Sequence, residues 1–296
     1  MLYRNIFRPL LFTIDPEQCH RILVKTLEFY GHISPLRVLY RKSYHTSNPL
    51  RFQGLQFQNR VGLSAGFDKD AQVFDQLSDF GFGFLEVGTI TPSPQGGNPR
   101  PRIFRTPADR SLISRTGFNN PGVEIAFKRI SKNRKHPYIL GVNINKDANS
   151  TGQQIVKDFE KVFVRLYGVA DYFTVNWGSI SAEEMDQVLT RLTDLCKTLP
   201  VNRALFMKFP ADVSEKVVDK AIAMAEHYSL QGFIATGPTK SRDDLKRTSP
   251  VLLQHIGSGQ VSGRGIGSRS LDVVKYLHDH IRKEMIVIGS GNVMTP

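Results

Sequence analysis

Residues 204–209 read Ala-Leu-Phe-Met-Lys-Phe, an apolar run broken by one lysine near its C-terminal end. Polar and apolar residues do not alternate in it, as they do in a strand with one wet face. It therefore reads as a strand covered on both sides. Runs of the same kind flank it along the chain: VGLSAG (61–66), FLEVGT (84–89), YILGVNI (138–144), YFTVN (172–176), GFIAT (232–236) and MIVIGS (285–290). Amphipathic segments lie between most of them, among them 154–167, Ala182–Thr198 and Glu215–His227. Short buried strands joined by helices predict an α/β protein with a parallel sheet. Their number favours a (β/α)8 TIM-type barrel over an open doubly wound sheet, which remains the alternative. The chain stops at Pro296, just past the seventh run, so the eighth strand and helix are expected to be lacking.

Nearly every run closes on a small or polar group: Ala65-Gly66 followed by Lys69, Gly88-Thr89, Asn143, Asn176, Lys208, Thr236 and Gly289-Ser290-Gly291. Taken singly, such residues end strands and cap helices. In a barrel all these ends meet on one face, where active sites are built. Lys208 carries the most information, because an ammonium closing an apolar strand needs an anionic partner. A flavin suits that place, since its reduction builds negative charge on the ring. Gly289-Ser290-Gly291-Asn292 and Ser262-Gly263-Arg264 are glycine-rich turns through which backbone N–H groups can approach a phosphate.

The first 45 residues read differently. Asp15-Pro16-Glu17 has the form of a helix N-cap with a first-turn proline, and Ile22, Leu23, Leu27, Phe29 and Tyr30 give a helical apolar stripe. A second short helix is expected over 35–40, then a strand pair within 47–58. This divides the chain into a helical segment, 1–45, and a barrel, 46–296. Much of the basic excess behind the net charge of +12 sits in the first sixty residues, in Arg4, Arg8, Arg21, Lys25, Arg37, Arg41, Lys42, Arg51 and Arg60, which predicts a local basic surface. No run is long enough to span a bilayer. Cys19 and Cys196 match no metal spacing, so no metal is expected and a reducing compartment is the default. No zinc spacing or interleaved basic-aromatic pattern supports nucleic-acid binding.

In order and spacing, AGFDKD (65–70), EVGTITPSPQGGNPRPRIFR (86–105), SRTGFNN (114–120), LGVNI (140–144), KFPAD (208–212), VSGRG (261–265) and VIGSG (287–291) resemble the quinone-dependent, membrane-associated dihydroorotate dehydrogenases. The resemblance implies FMN contacts from Ala65, Gly66, Lys69, Thr89, Asn143, Asn176, Lys208, Thr236, Gly263, Gly291 and Asn292. It implies that Lys69, Ser114, Arg115, Thr116, Gly117, Phe118, Asn176 and Ser181 meet dihydroorotate or orotate. Ser179 falls at the position of the catalytic base, and His20 and Arg105 fall at the entrance for ubiquinone or menaquinone. The helical start resembles the membrane-docking N-terminus of that class. A monomer lying on the anionic, cytoplasmic face of the inner membrane is expected.

Some motifs depart from the family. Its pattern after the fourth strand, Asn-x-Ser-Ser/Cys-Pro-Asn-Thr, here reads Asn176-Trp177-Gly178-Ser179-Ile180-Ser181-Ala182. Serine or glycine stands at Ser114, Ser181 and Gly237, where the family has substrate-binding asparagines. The segment from Ser179 to Lys208 is also shorter than the family's. These differences leave open an FMN barrel with another substrate, or a non-catalytic membrane-bound relative. A truncated chain and a degenerate relative both fit the early stop.

Overall fold

The computed structural model describes residues 3–134 and 138–294. Three helices open the chain: α1 (Arg8–Thr13), α2 (Pro16–Tyr30) and α3 (Ser34–Ser43). Asp15 caps α2 as its sequence predicts, its Oδ1 accepting from the N–H groups of Glu17 at 2.9 Å and Gln18 at 3.0 Å. The expected strand pair is the antiparallel hairpin β1 (Leu50–Phe52) and β2 (Leu55–Phe57).

Strands and helices then follow in turn, with two extra strands after β4: β3 (Gly62–Leu63), α4 (Phe74–Leu77), β4 (Phe84–Ile90), β5 (Ile103–Thr106), β6 (Ser111–Ser114), α5 (Val123–Asn133), β7 (Ile139–Ile144), α6 (Gln153–Leu166), β8 (Tyr172–Asn176), α7 (Ala182–Thr198), β9 (Ala204–Phe209), α8 (Glu215–His227), β10 (Gly232–Ala235), α9 (Pro250–Ile256), β11 (Gln260–Gly263), α10 (Arg269–His280) and β12 (Ile286–Gly289). All the apolar runs join one parallel sheet in the order β12-β10-β9-β8-β7-β4-β3.

The sheet curls until its edges approach. Seven flat strands spaced about 4.8 Å apart would hold the two edges about 29 Å from each other. Instead Ser290, just after β12, donates from Oγ to Ser64 Oγ, just after β3, at 3.2 Å. Lys208 on β9 also crosses the interior to Ser64, at 3.0 Å. Among the described residues no backbone ladder joins β3 to β12.

Both faces are dry, which is why the strands lack alternation. Outward residues such as Leu140, Val142, Phe173, Leu205, Met207 and Phe233 pack on Phe159, Val162, Met185 and Val188 of the helices. Inward residues Tyr172, Ala204, Phe206 and Ile234 pack with Ile286 and Ile288, and Phe52 and Leu55 of the hairpin pack on the same cluster. Gly141 makes room for one of them: a Cβ there would lie 2.0 Å from the Tyr172 ring.

Three expectations change. The run 61–66 supplies only two strand residues, because Ser64 turns into the mouth and Gly66 takes φ +109°. Residues 262–264 are not simply a turn: Gly263 ends β11, which forms a separate antiparallel sheet in the order β11-β6-β5. The basic N-terminus is also only partly a surface. Arg37 is buried, its Nε 2.5 Å from Asp79 and its Nη1 2.9 Å from Asp75, and Arg41 reaches the other Asp79 oxygen at 2.9 Å. Burial opposes the Arg37 charge, but the Asp79 and Asp75 carboxylates outweigh it and hold its pKa above the ordinary value.

Candidate active site

The residues facing into the sheet share one parity along β8, β9 and β10, because side chains alternate along a strand. Asn176 stands opposite Lys208 in the register of β8 and β9, and Lys208 stands opposite Ile234, so Thr236 lies one inward step further up. Among the described residues, side-chain polar contacts link the ends of β4, β7, β8 and β9, but not that of β10. Thr89 donates to Asn143 Oδ1 at 2.7 Å, and the Asn176 amide donates to the same oxygen at 3.3 Å. The Asn143 amide in turn donates to Glu86 at 3.1 Å. Glu86 lies 3.7 Å from Lys208 and accepts from the Tyr172 hydroxyl at 3.3 Å. Burial, then the Glu86 charge, raises the Tyr172 pKa well above that of a free phenol, so it stays a donor.

A second polar group sits beside this network. Lys69 donates from Nζ to Thr116 Oγ1 at 2.7 Å and to Asn119 Oδ1 at 3.0 Å, both neutral acceptors. Burial, then the positive charge of Arg102, pulls the Lys69 pKa from 10.5 to about 8, against Asp70 and Glu17. A partly desolvated cation that forms no ion pair among the described residues is suited to receive an anionic ligand. Beyond it, Ser179 and Asn145 pair through two contacts of 3.0 and 3.1 Å, the Asn145 amide donating to Ser179 Oγ and its oxygen accepting from the hydroxyl.

Two buried acceptors in the mouth, Thr236 Oγ1 and Asn292 Oδ1, have no hydrogen-bond partner among the described residues. A Cβ built on Gly66 would meet nothing within 4 Å, and one on Gly237 nothing nearer than 3.6 Å. Lys208 and the open glycines suit a flat anionic group, and the unpartnered Thr236 hydroxyl and Asn292 amide oxygen suit N–H or O–H donors on that same group.

The sequence profile of dihydroorotate dehydrogenases matches residues 49–296. A protein of Aromatoleum aromaticum named dihydroorotate dehydrogenase (quinone) is 36% identical over 99% of this chain and 85% of its own length. One of the same name from Corynebacterium diphtheriae is 34% identical over 97% and 80% respectively. The chain belongs to the dihydroorotate dehydrogenase family. The crystal structure of a dihydroorotate dehydrogenase from Eimeria tenella in complex with ferulenol superposes with a TM-score of 0.76 at 25% identity, covering 95% of this chain and 81% of that one.

Against that family's pattern, Thr89, Asn143, Asn176 and Lys208 come together with Glu86, and Lys69 with Thr116. Gly263 and Gly291 take φ +85° and +95°, and Asn292 holds Gly267 O at 3.1 Å. Other residues have structural duties. Arg115 donates to the carbonyls of Ile256, Ser258 and Pro101 and stacks on Phe104. Ser114 lies in the β6 ladders, and the Phe118 carbonyl accepts from Asn120. Gly117 supplies a φ of +68°. Ser181 is exposed and caps α7 in a capping box with Glu184. Its hydroxyl oxygen accepts from the helix end, a role that serine at that position performs well.

His20 approaches Phe67 O at 2.9 Å, and Arg105 donates to Ile14 O at 2.6 Å while lying over the Phe12 ring, so both join the N-terminal helices to the barrel. The sequence reading missed Ser64, Glu86, Asn119, Asn145 and Tyr172. Glu86 alone carried a signal, being a lone charge inside an apolar strand, as Lys208 is.

Proposed function

We propose that this chain oxidises dihydroorotate to orotate in de novo pyrimidine biosynthesis, with FMN as hydride acceptor and ubiquinone or menaquinone as final acceptor. The reading rests first on Lys208, a buried cation held by Ser64 after β3 and Glu86 of β4, and on the half-buried Lys69. Ala65, Gly66, Thr89, Asn143, Asn176, Lys208, Thr236, Gly263, Gly291 and Asn292 would hold FMN. The two unpartnered acceptors, the open glycines and the cation all fit such a group. When bound, FMN supplies a two-electron acceptor for the substrate and a donor for the quinone.

The chain's own residues do the rest. Lys69, with Thr116 and Asn119 around it, binds the substrate carboxylate as an ammonium. Ser179 Oγ takes the proton leaving C5 and releases its own to water, held in orientation by Asn145. Asn145 holds that hydroxyl through two hydrogen bonds.

Quinone would enter beside His20 and Arg105, under α1 and α2. No described helix is long and apolar enough to cross a membrane. Ile6, Phe7, Leu10 and Phe12 around α1, Ile22, Leu23 and Phe29 on α2, and Val38 and Leu39 on α3 are nevertheless exposed. Such helices with basic neighbours lie on anionic lipid without spanning it. In this reading residues 1–45 dock a monomer peripherally on the cytoplasmic face of the inner membrane, and 46–296 form the catalytic barrel.

The purified protein should absorb as an oxidised flavin, bleach when dihydroorotate is added without oxygen, and recover with a soluble quinone. Colourless protein, or a flavin that dihydroorotate leaves unchanged, would sink the reading.

A further inference from the structure

We propose that Glu17, at the start of α2, is a positioning residue for substrate: through Arg102 it fixes the loop that holds Lys69, linking the docked N-terminal helices to binding of the anionic substrate. The proposal rests on Lys69 being the substrate's cation.

The contacts run without a break. Arg102 is buried, and it grips Glu17 in a two-pronged pair, Nη2 to Oε1 at 2.8 Å and Nε to Oε2 at 3.1 Å. Its remaining arm, Nη1, donates to the carbonyls of Gly96 at 2.8 Å and Asn98 at 3.0 Å. Asn98 is bound to the 115–116 backbone, its N–H donating to Thr116 O at 3.1 Å and its amide to Arg115 O at 2.7 Å. Gly97, at φ +75°, presses so close that a Cβ would stand 2.2 Å from Thr116 O and 2.8 Å from the Asn119 Cβ. Thr116 and Asn119 are the two acceptors of the Lys69 ammonium. Arg100 also lies 3.0 Å from Glu17, so one carboxylate gathers two arginines beside the substrate site.

The charges give this clamp a second consequence. Lys69 is faced by Arg102 from the turn before β5, by Glu17 from α2 and by Asp70 from its own loop. Asp70 is itself faced by Arg129 of α5 and His20 of α2. Arg102 disfavours the Lys69 ammonium, and Glu17 offsets that effect. Removing the Glu17 charge therefore lowers the pH at which Lys69 loses its proton; removing the Arg102 charge raises it.

Calorimetric titration of the holoenzyme with orotate, from about pH 6 to about pH 9.5, tests this directly, with wild-type affinity expected to fall above about pH 8 as Lys69 deprotonates. Glu17→Gln should weaken binding at neutral pH and move that fall downward by about half a pH unit, equivalent to roughly threefold in affinity. Arg102→Gln should also weaken binding but move the fall upward, a reversal that general loss of structure does not produce. A fall at the same pH in Glu17→Gln as in the wild type, or uniform weakening at every pH, overturns the proposal. Wild-type holoenzyme that takes up no orotate overturns the substrate reading beneath it.

Discussion

At the residue scale the decisive pair is Lys208 and Glu86, two buried charges 3.7 Å apart inside the sheet. Each desolvates the other's partner network, so deleting one leaves the other uncompensated. Lys208→Met should lower the stability of the apoprotein by about 3–5 kcal/mol in urea titration, the usual cost of orphaning a buried ion. Lys208→Met combined with Glu86→Gln should recover most of that stability while flavin reduction by dihydroorotate stays lost. Recovery of both together would make Lys208 a structural residue only. Ser179→Ala separates the proton step from binding: flavin reduction should slow by about 10²–10⁴-fold with orotate affinity little changed. Rapid-mixing absorbance at the flavin band measures it, and an unchanged rate would move the base elsewhere. Lys208, Asn143 and Asn176 were legible in the sequence because strand ends are local features that the barrel then gathers. Asn119 and Asn145 were not, since nothing local marks an asparagine that acquires its partner, Lys69 or Ser179, only through folding.

At the scale of elements, local chemistry was readable and distant pairing was not. Asp15-Pro16-Glu17 announces the start of α2 within three residues. The sheet β11-β6-β5 joins Ser111–Ser114 to Gln260–Gly263, strands that carry no sustained apolar run and lie far apart in sequence. The basic residues of α3 misled for a related reason: Asp75 and Asp79, which bury Arg37, belong to the turn-rich stretch at α4 rather than to the helix itself. That contact makes α3 the anchor of the N-terminal segment. Tyr30 joins it, donating to Asp79 at 3.1 Å, and burial, then Asp79, pushes its pKa up to about 12. Arg37→Ala should therefore cost about 3–5 kcal/mol and expose the junction between residues 30 and 45 to proteases. Limited proteolysis with mass spectrometry reads the cleavage sites. Protection equal to the wild type would show that apolar packing of Leu27 and Tyr30, not the ion pairs, holds the helices down.

At the scale of the whole molecule, composition supplied a charge of +12 but not its placement. Folding turns Arg37 inward and spends Arg102 and Arg105 on internal contacts, yet Arg21 and Lys25 of α2 and Lys42 of α3 remain exposed, as do Leu10 and Phe12 of α1, Leu23 and Phe29 of α2 and Leu39 of α3. Two forces should then act on a lipid surface, and they respond to different variables. Each base near an anionic bilayer contributes about 1 kcal/mol at physiological salt, so replacing these three with Gln removes about 3 kcal/mol, on the order of 100-fold in partitioning. The apolar side chains contribute by area and are indifferent to salt. In sedimentation with vesicles of mixed neutral and anionic lipid, binding should weaken as salt rises, and the triple Gln variant should weaken it at every salt. Leu10→Asp should instead reduce binding to neutral and anionic vesicles alike, because it removes the insertion and not the attraction. Binding that is independent of lipid charge would leave insertion as the only force. Equal loss of binding in a variant of exposed bases on α8, such as Lys216→Gln with Lys220→Gln, would mean that the net charge and not the N-terminal helices directs the protein to lipid.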